Sequence, residues 1–257
     1  MRLSIVVPAW NEGRRIAGTL KRLRATARPD SVEIIVVDGG SKDGTLKFAR
    51  ESADKVIPLG GANRGAQLHK GAREASGELL LFLHADAQLP GDWQAALEAF
   101  WNSERSAGSA ATVFSVHYGA GFRLAFAALA ANLRVSLRNS AYGESGLCVP
   151  KSIYEGAGGF PDFPMMEDLA LCARLRPLGR IVRLKECIRP AAHDLRRTGP
   201  LRSILRRFAY RMRFAFGEDP ESLFRRRYGD GPHSPPAPEP WDGEALLKKA
   251  VRDRDFP

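Results

Sequence analysis

Short, uninterrupted hydrophobic runs alternate along the first hundred residues with segments whose apolar positions recur at helical spacing. Runs such as Leu79–Leu83 predict strands buried on both faces, which is typical of a parallel sheet covered by helices. The predicted strands are Leu3–Pro8, Val32–Val37, Val56–Pro58 and Leu79–Leu83. The predicted helices are Glu12–Ala25, Thr45–Ser52, Arg64–Ala75 and Trp93–Trp101. This order predicts an α/β fold with a mostly parallel central sheet and right-handed crossovers.

The regular alternation ends near residue 105. The later pattern predicts strands at Ala110–Val116, Gly146–Val149 and Arg180–Leu184, and helices at Gly121–Leu137, Leu169–Arg176 and Pro200–Phe216. A proline-rich stretch, Gly229–Pro240, then leads to a polar tail. We therefore expect one domain over residues 1–228, with a regular half (1–105) and a less regular half (106–228), followed by a linker and tail (229–257).

Composition narrows the class of protein. A net charge of +10 indicates a polyanionic partner, such as nucleic acid, anionic lipid or a phosphorylated substrate. No run approaches the eighteen or so apolar residues that a membrane span needs, and the first apolar run is too short for a signal peptide. The three cysteines are odd in number and lack metal-site spacing, so we expect neither a disulfide framework nor a zinc site. A reducing cytoplasm fits these features.

Polar residues follow three of the buried strands at the edge where open α/β sheets bind ligands. Ala9–Glu12 follows the first strand, Asp38 and Gly39 the second, and His84 and Asp86 the fourth. Side chains two residues apart return to one face of an extended segment, so His84 and Asp86 could reach one ion or phosphate. Taken alone, Asp86 is equally compatible with an ordinary turn. The chain lacks the G-x-G-x-x-G and G-x-x-x-x-G-K-[ST] patterns, which argues against a dinucleotide enzyme and a P-loop.

Four sequence blocks occur in one order along the chain: Ser4–Glu12, Ile35–Thr45, Leu81–Asp86 and Met166–Leu169. Together they resemble the signature blocks of family 2 glycosyltransferases with a GT-A fold. The Leu-His-Ala-Asp sequence in the third block is similar to a small soluble bacterial branch, the radical-SAM/selenodomain-associated transferase 2 group. The resemblance covers about residues 2–228. It implies a Rossmann-like nucleotide-sugar half (1–105) and an acceptor half with basic helices (106–228).

The resemblance also implies a nucleotide-diphosphate sugar as donor, with a UDP-sugar favoured, and a bound Mg²⁺ or Mn²⁺. The residues it assigns to the nucleotide sugar are Pro8, Ala9, Trp10, Asn11, Glu12, Asp38, Gly39, Arg64, His84, Ala85 and Asp86. Asp86 resembles the second aspartate of the D-x-D motif, which is a metal ligand. His84 stands at the position of the first aspartate. Three roles are compatible with it: a contact to the ribose, a contact to the metal, or packing in the core. His193 is the candidate for a further metal ligand, and a surface or capping role is about as compatible with its position.

Glu167 and Asp168 resemble the "ED" motif, whose aspartate is the general base of inverting enzymes. Acids at this point also suit the N-terminus of the predicted helix that follows, because the helix dipole stabilises negative charge there. The two roles are compatible with each other. The chain departs from the branch at Gly143–Gly146 and Ala191–Leu195, so acceptor contacts are not carried over to Glu144.

The segment Arg196–Arg213 carries seven arginines and no acid, interleaved with apolar residues. It is compatible with an amphipathic helix that packs on the core, and also with an interfacial helix on anionic lipid. The second role would suit a lipid-linked acceptor. Neither base-reading elements nor a known nucleic-acid fold is evident, so we expect no nucleic-acid partner.

The sequence thus predicts an inverting, metal-assisted glycosyltransferase of the cytoplasm, peripheral on the inner face of the membrane if the basic helix is interfacial. It specifies neither the sugar nor the acceptor. One alternative is a nucleotidyltransferase, which is disfavoured because Pro8–Asn11 replaces the glycine-rich, arginine-containing first loop of such enzymes. The other is a non-catalytic module that binds a sugar nucleotide or a membrane surface, which the altered acceptor blocks leave open.

Overall fold

The computed structural model describes residues 2–141, 143–190 and 199–229. The strands are β1 (Leu3–Ala9), β2 (Val32–Asp38), β3 (Lys55–Pro58), β4 (Leu79–Phe82), β5 (Ser109–Val116), β6 (Leu147–Pro150) and β7 (Arg180–Ile188). The helices are α1 (Gly13–Thr26), α2 (Thr45–Arg50), α3 (Arg64–Glu74), α4 (Trp93–Trp101), α5 (Phe122–Arg138), α6 (Lys151–Gly156), α7 (Glu167–Leu175), α8 (Pro200–Ala215) and α9 (Pro220–Tyr228). Single 3₁₀ turns lie at Glu104–Ser106, Gly143–Ser145 and Arg176–Leu178.

The strands form one seven-stranded sheet in the order β3-β2-β1-β4-β6-β5-β7. Strand β6 runs antiparallel to both of its neighbours, whereas the other adjacent strands pair in parallel. The predicted α/β fold with a mostly parallel sheet is therefore confirmed. The carboxyl ends of β1, β2 and β4 meet at one edge, which is where the polar loops lie.

Two apolar layers cover the two faces of this sheet. Successive residues of β1 alternate between them, so that Ile5 and Val7 contribute to one layer and Val6 to the other. Helix α4 adds Trp93 to the first layer, and Phe82 and Phe160 meet edge to face in the second, with ring centroids 4.8 Å apart. Burial of both faces explains why the strands of the first half are continuous hydrophobic runs.

Helices α6 and α9 were not predicted. Helix α6 has only six residues and follows β6 directly. Helix α9 begins with Asp219, whose carboxylate accepts a hydrogen bond from the Ser222 N–H at 3.0 Å, and with Pro220 in its first turn. An N-cap acid followed by proline is a recognisable helix start, so a signal was present in the sequence. No helix in the described ranges is long and apolar enough to cross a bilayer.

A close contact at the start of α3 brings a loop of the second half against the first half. A Cβ at Gly65 would lie 2.1 Å from the carbonyl oxygen of Pro161, so a larger residue has no room there. The Gly65 N–H donates to the Phe163 carbonyl at 2.9 Å, and the Asn63 amide donates to Asp162 at 2.7 Å. The loop therefore leads the chain into α7 directly beside the start of α3.

Candidate active site

A cleft of about 410 Å³ opens at the carboxyl ends of β1 and β4. Nine residues that the sequence assigned to a nucleotide sugar line it: Pro8, Ala9, Trp10, Asn11, Glu12, Arg64, His84, Ala85 and Asp86. Asp38 and Gly39, which the sequence also assigned to the nucleotide sugar, do not line the cleft. Glu167 and Asp168 line a smaller adjoining cavity that shares His84 with the cleft. His193 lies outside the described residues.

The loop after β1 is held in place by the loop after β2. Asn11, in the left-handed region at φ 52°, donates its N–H to the Ser41 hydroxyl at 2.8 Å. The Thr45 hydroxyl oxygen accepts from the N–H groups of Glu12 and Gly13, both at 2.9 Å. Because these bonds involve backbone groups, they position the Trp10–Glu12 segment without depending on long, flexible side chains.

Asp38 is almost completely buried at the end of β2. Its Oδ2 accepts from the N–H groups of Gly40 and Ser41, at 3.1 and 2.9 Å. Its Oδ1 is also buried and has no hydrogen-bond partner among the described residues. The next residue, Gly39, packs so closely that a Cβ would lie 3.0 Å from Ala62 Cα. A buried carboxylate oxygen without a partner is costly, and a hydrogen bond from a ligand N–H would remove that cost.

Two carboxylates, Glu12 and Asp86, face the cleft. Burial raises the pKa of Glu12, and the negative charge of Asp86 raises it further. Arg15 opposes this rise in pKa through an ion pair at 3.5 Å. Within the ranges that the structure describes, no three metal-binding side chains cluster together.

Paired carboxylates nevertheless fit a hard divalent cation whose remaining ligands come from phosphate oxygens and water. The cleft therefore suits a metal that is held jointly by the protein and a bound diphosphate.

His84 stands between the cleft and the acid pair. Burial lowers the pKa of its imidazole to about 3, and the nearby Arg64 guanidinium lowers it as well, so the ring is neutral at physiological pH. A Cβ at Gly143 would lie 2.7 Å from His84 Nε2, which shows how closely the 3₁₀ turn passes the ring. No described residue hydrogen-bonds Nε2. A neutral ring is suited to a hydrogen bond with a ligand and poorly suited to binding phosphate by charge.

Glu167 and Asp168 begin helix α7 on the far side of His84. Glu167 is buried, with its Oε1 3.3 Å from Nη1 of Arg64. Asp168 accepts from the Gly143 N–H at 2.8 Å through Oδ2 and from the Leu169 N–H at 2.7 Å through Oδ1. Burial raises the pKa of both acids, while Arg64 opposes the rise. The cavity beside them, of about 10 Å³, has room for one water molecule.

Beyond this pair, Glu144 lies in a second buried network. Its carboxylate accepts from the Tyr118 hydroxyl at 2.6 Å and from Arg207 Nη1 at 2.7 and 2.9 Å. Arg207 keeps the pKa of Glu144 low despite its burial. The 3₁₀ turn that carries Glu144 also supplies the Gly143 N–H to Asp168. Glu144 thus supports the position of the acid pair.

The basic helix α8 differs from the simple amphipathic pattern. It buries Ser203 and Phe214, but Leu205 and Phe208 are 58% and 52% exposed. Arg207 is ion-paired with Glu144 rather than fully solvated. Two of the seven arginines, Arg196 and Arg197, lie outside the described residues. Packing against the core therefore accounts for only some of the apolar side chains of α8.

Two aromatic residues of α9, Phe224 and Tyr228, also line the cleft. Their ring centroids are 4.9 Å apart, and the Arg227 guanidinium lies 5.4 Å from the Tyr228 centroid. Sequence reasoning missed both because it ended the ordered domain at residue 228 without assigning a helix there. The cap at Asp219 was the signal that could have found them.

Comparison with known proteins agrees with the family resemblance. Residues 4–126 match the profile of Glycosyl transferase family 2. Glycosyltransferase AglE of Haloferax volcanii is 31% identical over 98 residues, covering 35% of this chain and 32% of the relative. A dolichyl-phosphate beta-glucosyltransferase of Trichomonas vaginalis is 36% identical over 97 residues, covering 33% and 30%. The chain thus spans about a third of the length of these curated relatives.

Solved structures show the same fold. A mannosyltransferase from Pyrobaculum calidifontis, in complex with GDP-Man and Mn²⁺, aligns with a TM-score of 0.62 at 21% identity, over 99% of this chain and 70% of that chain. Glucosyl-3-phosphoglycerate synthase of Mycobacterium tuberculosis, in complex with Mn²⁺, UDP and glucosyl-3-phosphoglycerate, aligns at 0.54 and 20%, over 72% and 70%. The GT-A fold prediction is confirmed. Residues 4–126 are similar to family 2 glycosyltransferases, while membership of the particular branch stays a prediction.

Proposed function

We propose that this chain transfers a sugar from a nucleotide-diphosphate sugar to an acceptor hydroxyl, with inversion at the anomeric carbon. One observation carries the proposal: a single cleft brings together the loop after β1, Arg64 and Asp86, and His84 connects this cleft to the buried pair Glu167–Asp168. This arrangement supports donor recognition and deprotonation of the acceptor at neighbouring positions, which glycosyl transfer requires.

The donor half of the cleft supports nucleotide binding. The partnerless Oδ1 of Asp38 suits the ring N–H of a nucleobase, and a uracil ring offers such a donor beside two carbonyl groups. Arg64 lines the cleft, and its guanidinium suits hydrogen bonds to diphosphate oxygens. Solved relatives of the same fold hold GDP-Man or UDP with Mn²⁺. A UDP-sugar remains our favoured donor.

Asp86, with Glu12 beside it, is the residue that would hold Mg²⁺ or Mn²⁺, and His193 stays our prediction for a further ligand. When bound, such an ion stabilises the negative charge that develops on the leaving diphosphate. The pKa of Glu12 is raised partly by Asp86, so bound positive charge would favour the ionised form of both acids.

The chemistry assigns different roles to the two acids of α7. The acceptor oxygen bonds to the anomeric carbon as the bond from that carbon to the diphosphate oxygen breaks. The electron pair of the broken bond leaves with the nucleoside diphosphate, and the acceptor proton passes to Asp168. The two backbone N–H donors fix the Asp168 carboxylate, whereas the ion pair with Arg64 engages Glu167. We therefore assign the base to Asp168 and a positioning role to Glu167.

Thermal unfolding with and without ligands tests donor binding. We expect UDP to raise the Tm, Mn²⁺ to enlarge the rise, and Asp86→Ala to abolish the metal-dependent part, because a ligand of the native state stabilises it by mass action. Asp92→Ala is the matched control, since Asp92 is exposed and forms no side-chain cap. Equal stabilisation with a chelator contradicts the metal assignment. Absence of stabilisation by any nucleotide contradicts the donor proposal.

We further propose that the protein works in the cytoplasm, on the anionic inner surface of the membrane. An apolar stripe on α5 is exposed to solvent: Phe122, Phe126, Leu129, Leu133 and Leu137 are 51–87% exposed. Two exposed arginines accompany this stripe. Arg123 lies on α5 itself, and Arg202 lies on α8, which contacts α5. Apolar residues combined with positive charge favour an anionic lipid surface.

Vesicle co-sedimentation tests the membrane proposal. We expect binding to anionic vesicles that weakens with salt, no binding to neutral vesicles, and a several-fold loss in Arg123→Gln/Arg202→Gln. Arg22→Gln/Arg50→Gln is the control, because these exposed arginines lie on α1 and at the end of α2. Protein that stays in the supernatant with anionic vesicles at low salt contradicts the proposal.

A further inference from the structure

A second cavity, distinct from the cleft, separates helices α5 and α8. This groove has a volume of about 330 Å³ and is open to solvent. Ala130, Leu133 and Leu137 of α5 form one wall, and Ile204 and Phe208 of α8 form the other. Leu133, Leu137 and Phe208 are each more than half exposed. Apolar side chains that stay in water on both sides of an open groove indicate a ligand with an apolar part.

The charges around this groove have one sign. Neither α5 nor α8 contains an aspartate or glutamate. Arg134 and Arg211 reach the groove, and no carboxylate of the described chain lies within ion-pair distance of Arg211. The one acid in the groove wall, Glu144, is already bound by Arg207 at 2.7 Å. The ligand that matches these walls is therefore both apolar and negatively charged.

The groove also has a polar part next to its apolar walls. Tyr118, Glu144 and Arg207 line this polar part and are joined by hydrogen bonds. Gly143, next to Glu144, donates its N–H to the Asp168 carboxylate. The turn that lines the groove at Glu144 thus also contacts the base assigned above, and Leu133 and Leu137 of the apolar wall belong to the exposed stripe on α5.

We propose that this groove binds an anionic amphiphilic lipid, the acceptor of the transferase, with its hydrocarbon chain between α5 and α8 and its acidic head group at Arg211. The proposal rests on the proposed function, because it assigns the acceptor class for that reaction. A small, fully polar acceptor would leave Leu133, Leu137 and Phe208 in water. A lipid covers them with its hydrocarbon chain, while its head group stays at Arg211, one helical turn from Arg207.

Calorimetric titration with dodecyl phosphate below its micelle concentration tests the groove directly. We expect saturable binding by the full chain, and none with inorganic phosphate or with uncharged dodecyl maltoside. Ala130→Trp fills the groove from an exposed position and should weaken binding at least tenfold, whereas Ala125→Trp, exposed on the same helix outside the groove, should leave it unchanged. Arg211→Gln should weaken binding several-fold, whereas Arg213→Gln, exposed on the same helix outside the groove, should leave it unchanged.

The outcomes separate this inference from the donor proposal. Equal binding by Ala130→Trp and Ala125→Trp, or equal binding of dodecyl maltoside, overturns it. A wild-type dimer that Ala130→Trp converts to a monomer in sedimentation velocity shows a second copy in the groove and also overturns it. The UDP-dependent Tm shift of each variant is the independent readout. Dodecyl phosphate binding without any nucleotide effect would overturn the donor proposal and leave the groove site standing.

Discussion

The N-terminal and C-terminal halves of the described chain are held together by different interactions. In the N-terminal half, from β1 to α4, the site residues follow buried parallel strands and are held by bonds to backbone groups, as Thr45 holds Glu12 and Gly13. In the C-terminal half, from β5 to α9, charged side chains from distant elements meet, as Arg207 and Glu144 do. Arg64 joins the halves through its ion pair with Glu167.

Two buried glutamates, one in each half, illustrate this difference in interactions. Glu33, in the N-terminal half, accepts from the Ser4 hydroxyl at 2.6 Å and the Ser76 N–H at 2.8 Å, and pairs with Lys55 at 2.9 Å. Glu144 depends on one arginine and one tyrosine from elements far along the chain. The comparison shows that neutral donors share with Lys55 in holding Glu33, whereas Arg207 supplies most of the hydrogen bonds that hold Glu144.

The largest expected effect concerns the C-terminal half. Asp168→Asn keeps the size of the side chain but removes its basicity, so we expect sugar transfer to fall by about a hundredfold or more. UDP affinity should hardly change, because Asp168 lines the adjoining cavity and not the cleft. Steady-state transfer assays and calorimetric UDP binding measure the two quantities.

Asp92→Asn, an exposed aspartate that precedes α4, is the matched control and should transfer at the wild-type rate. Near wild-type transfer by Asp168→Asn would move the base elsewhere, with Glu167 as the first candidate. A wild-type protein that binds donor but transfers to no acceptor would favour the non-catalytic alternative.

The second prediction concerns stability in the N-terminal half. Hydrogen bonds from Ser4, Ser76 and Lys55 outweigh the effect of burial and lower the pKa of Glu33 to about 2. Because the folded pKa lies below the unfolded one, this stabilisation is complete above about pH 4.5 and is lost as the pH falls toward 2. Glu33→Gln should therefore reduce the free energy of unfolding by about 2 kcal/mol at pH 7.

Urea unfolding at pH 7 and pH 3 measures this difference, which should shrink at the lower pH. Glu51→Gln, an exposed glutamate after α2, is the control and should change little at either pH. A difference that stays constant with pH would mean that packing, and not the charge of Glu33, supplies the stabilisation. UDP binding should be unchanged, because Glu33 pairs with Ser4 near the start of β1, away from the cleft.

The smallest expected effect tests whether the C-terminal half contributes to donor binding. Tyr228 lines the cleft and is 49% exposed. Tyr228→Ala should weaken UDP binding by about tenfold, since aromatic stacking on a base contributes about 1–3 kcal/mol. Tyr228→Phe should retain most of the affinity, and Phe216→Ala, an exposed residue outside the cleft, should retain all of it. Unchanged affinity in Tyr228→Ala would confine donor binding to the N-terminal half.

Much of the fold was predictable because its signals are local. Each of the four predicted strands of the first half differs from the observed strand by a single residue. For β1, β2 and β4 the reason is burial on both faces, which makes each a mostly continuous apolar run. In the second half, β7 extends to Ile188, four residues beyond the prediction. Its side chains alternate between buried and exposed, so the pattern there is weaker. Helix α9 was missed although Asp219 and Pro220 marked its start.

The sequence by itself determined the order of the strands and of the helices other than α6 and α9, the edge of the sheet where the cleft opens, and nine of the residues that line it. Those features depend on short-range patterns: hydrophobic runs, the polar residues that end them, and the turns that follow. Only the tertiary structure decided that Glu144 binds Arg207, that His84 is neutral, that Tyr228 lines the cleft and that α5 and α8 leave a groove between them. Each depends on residues distant in the chain, whose contacts and burial arise only when the elements pack together.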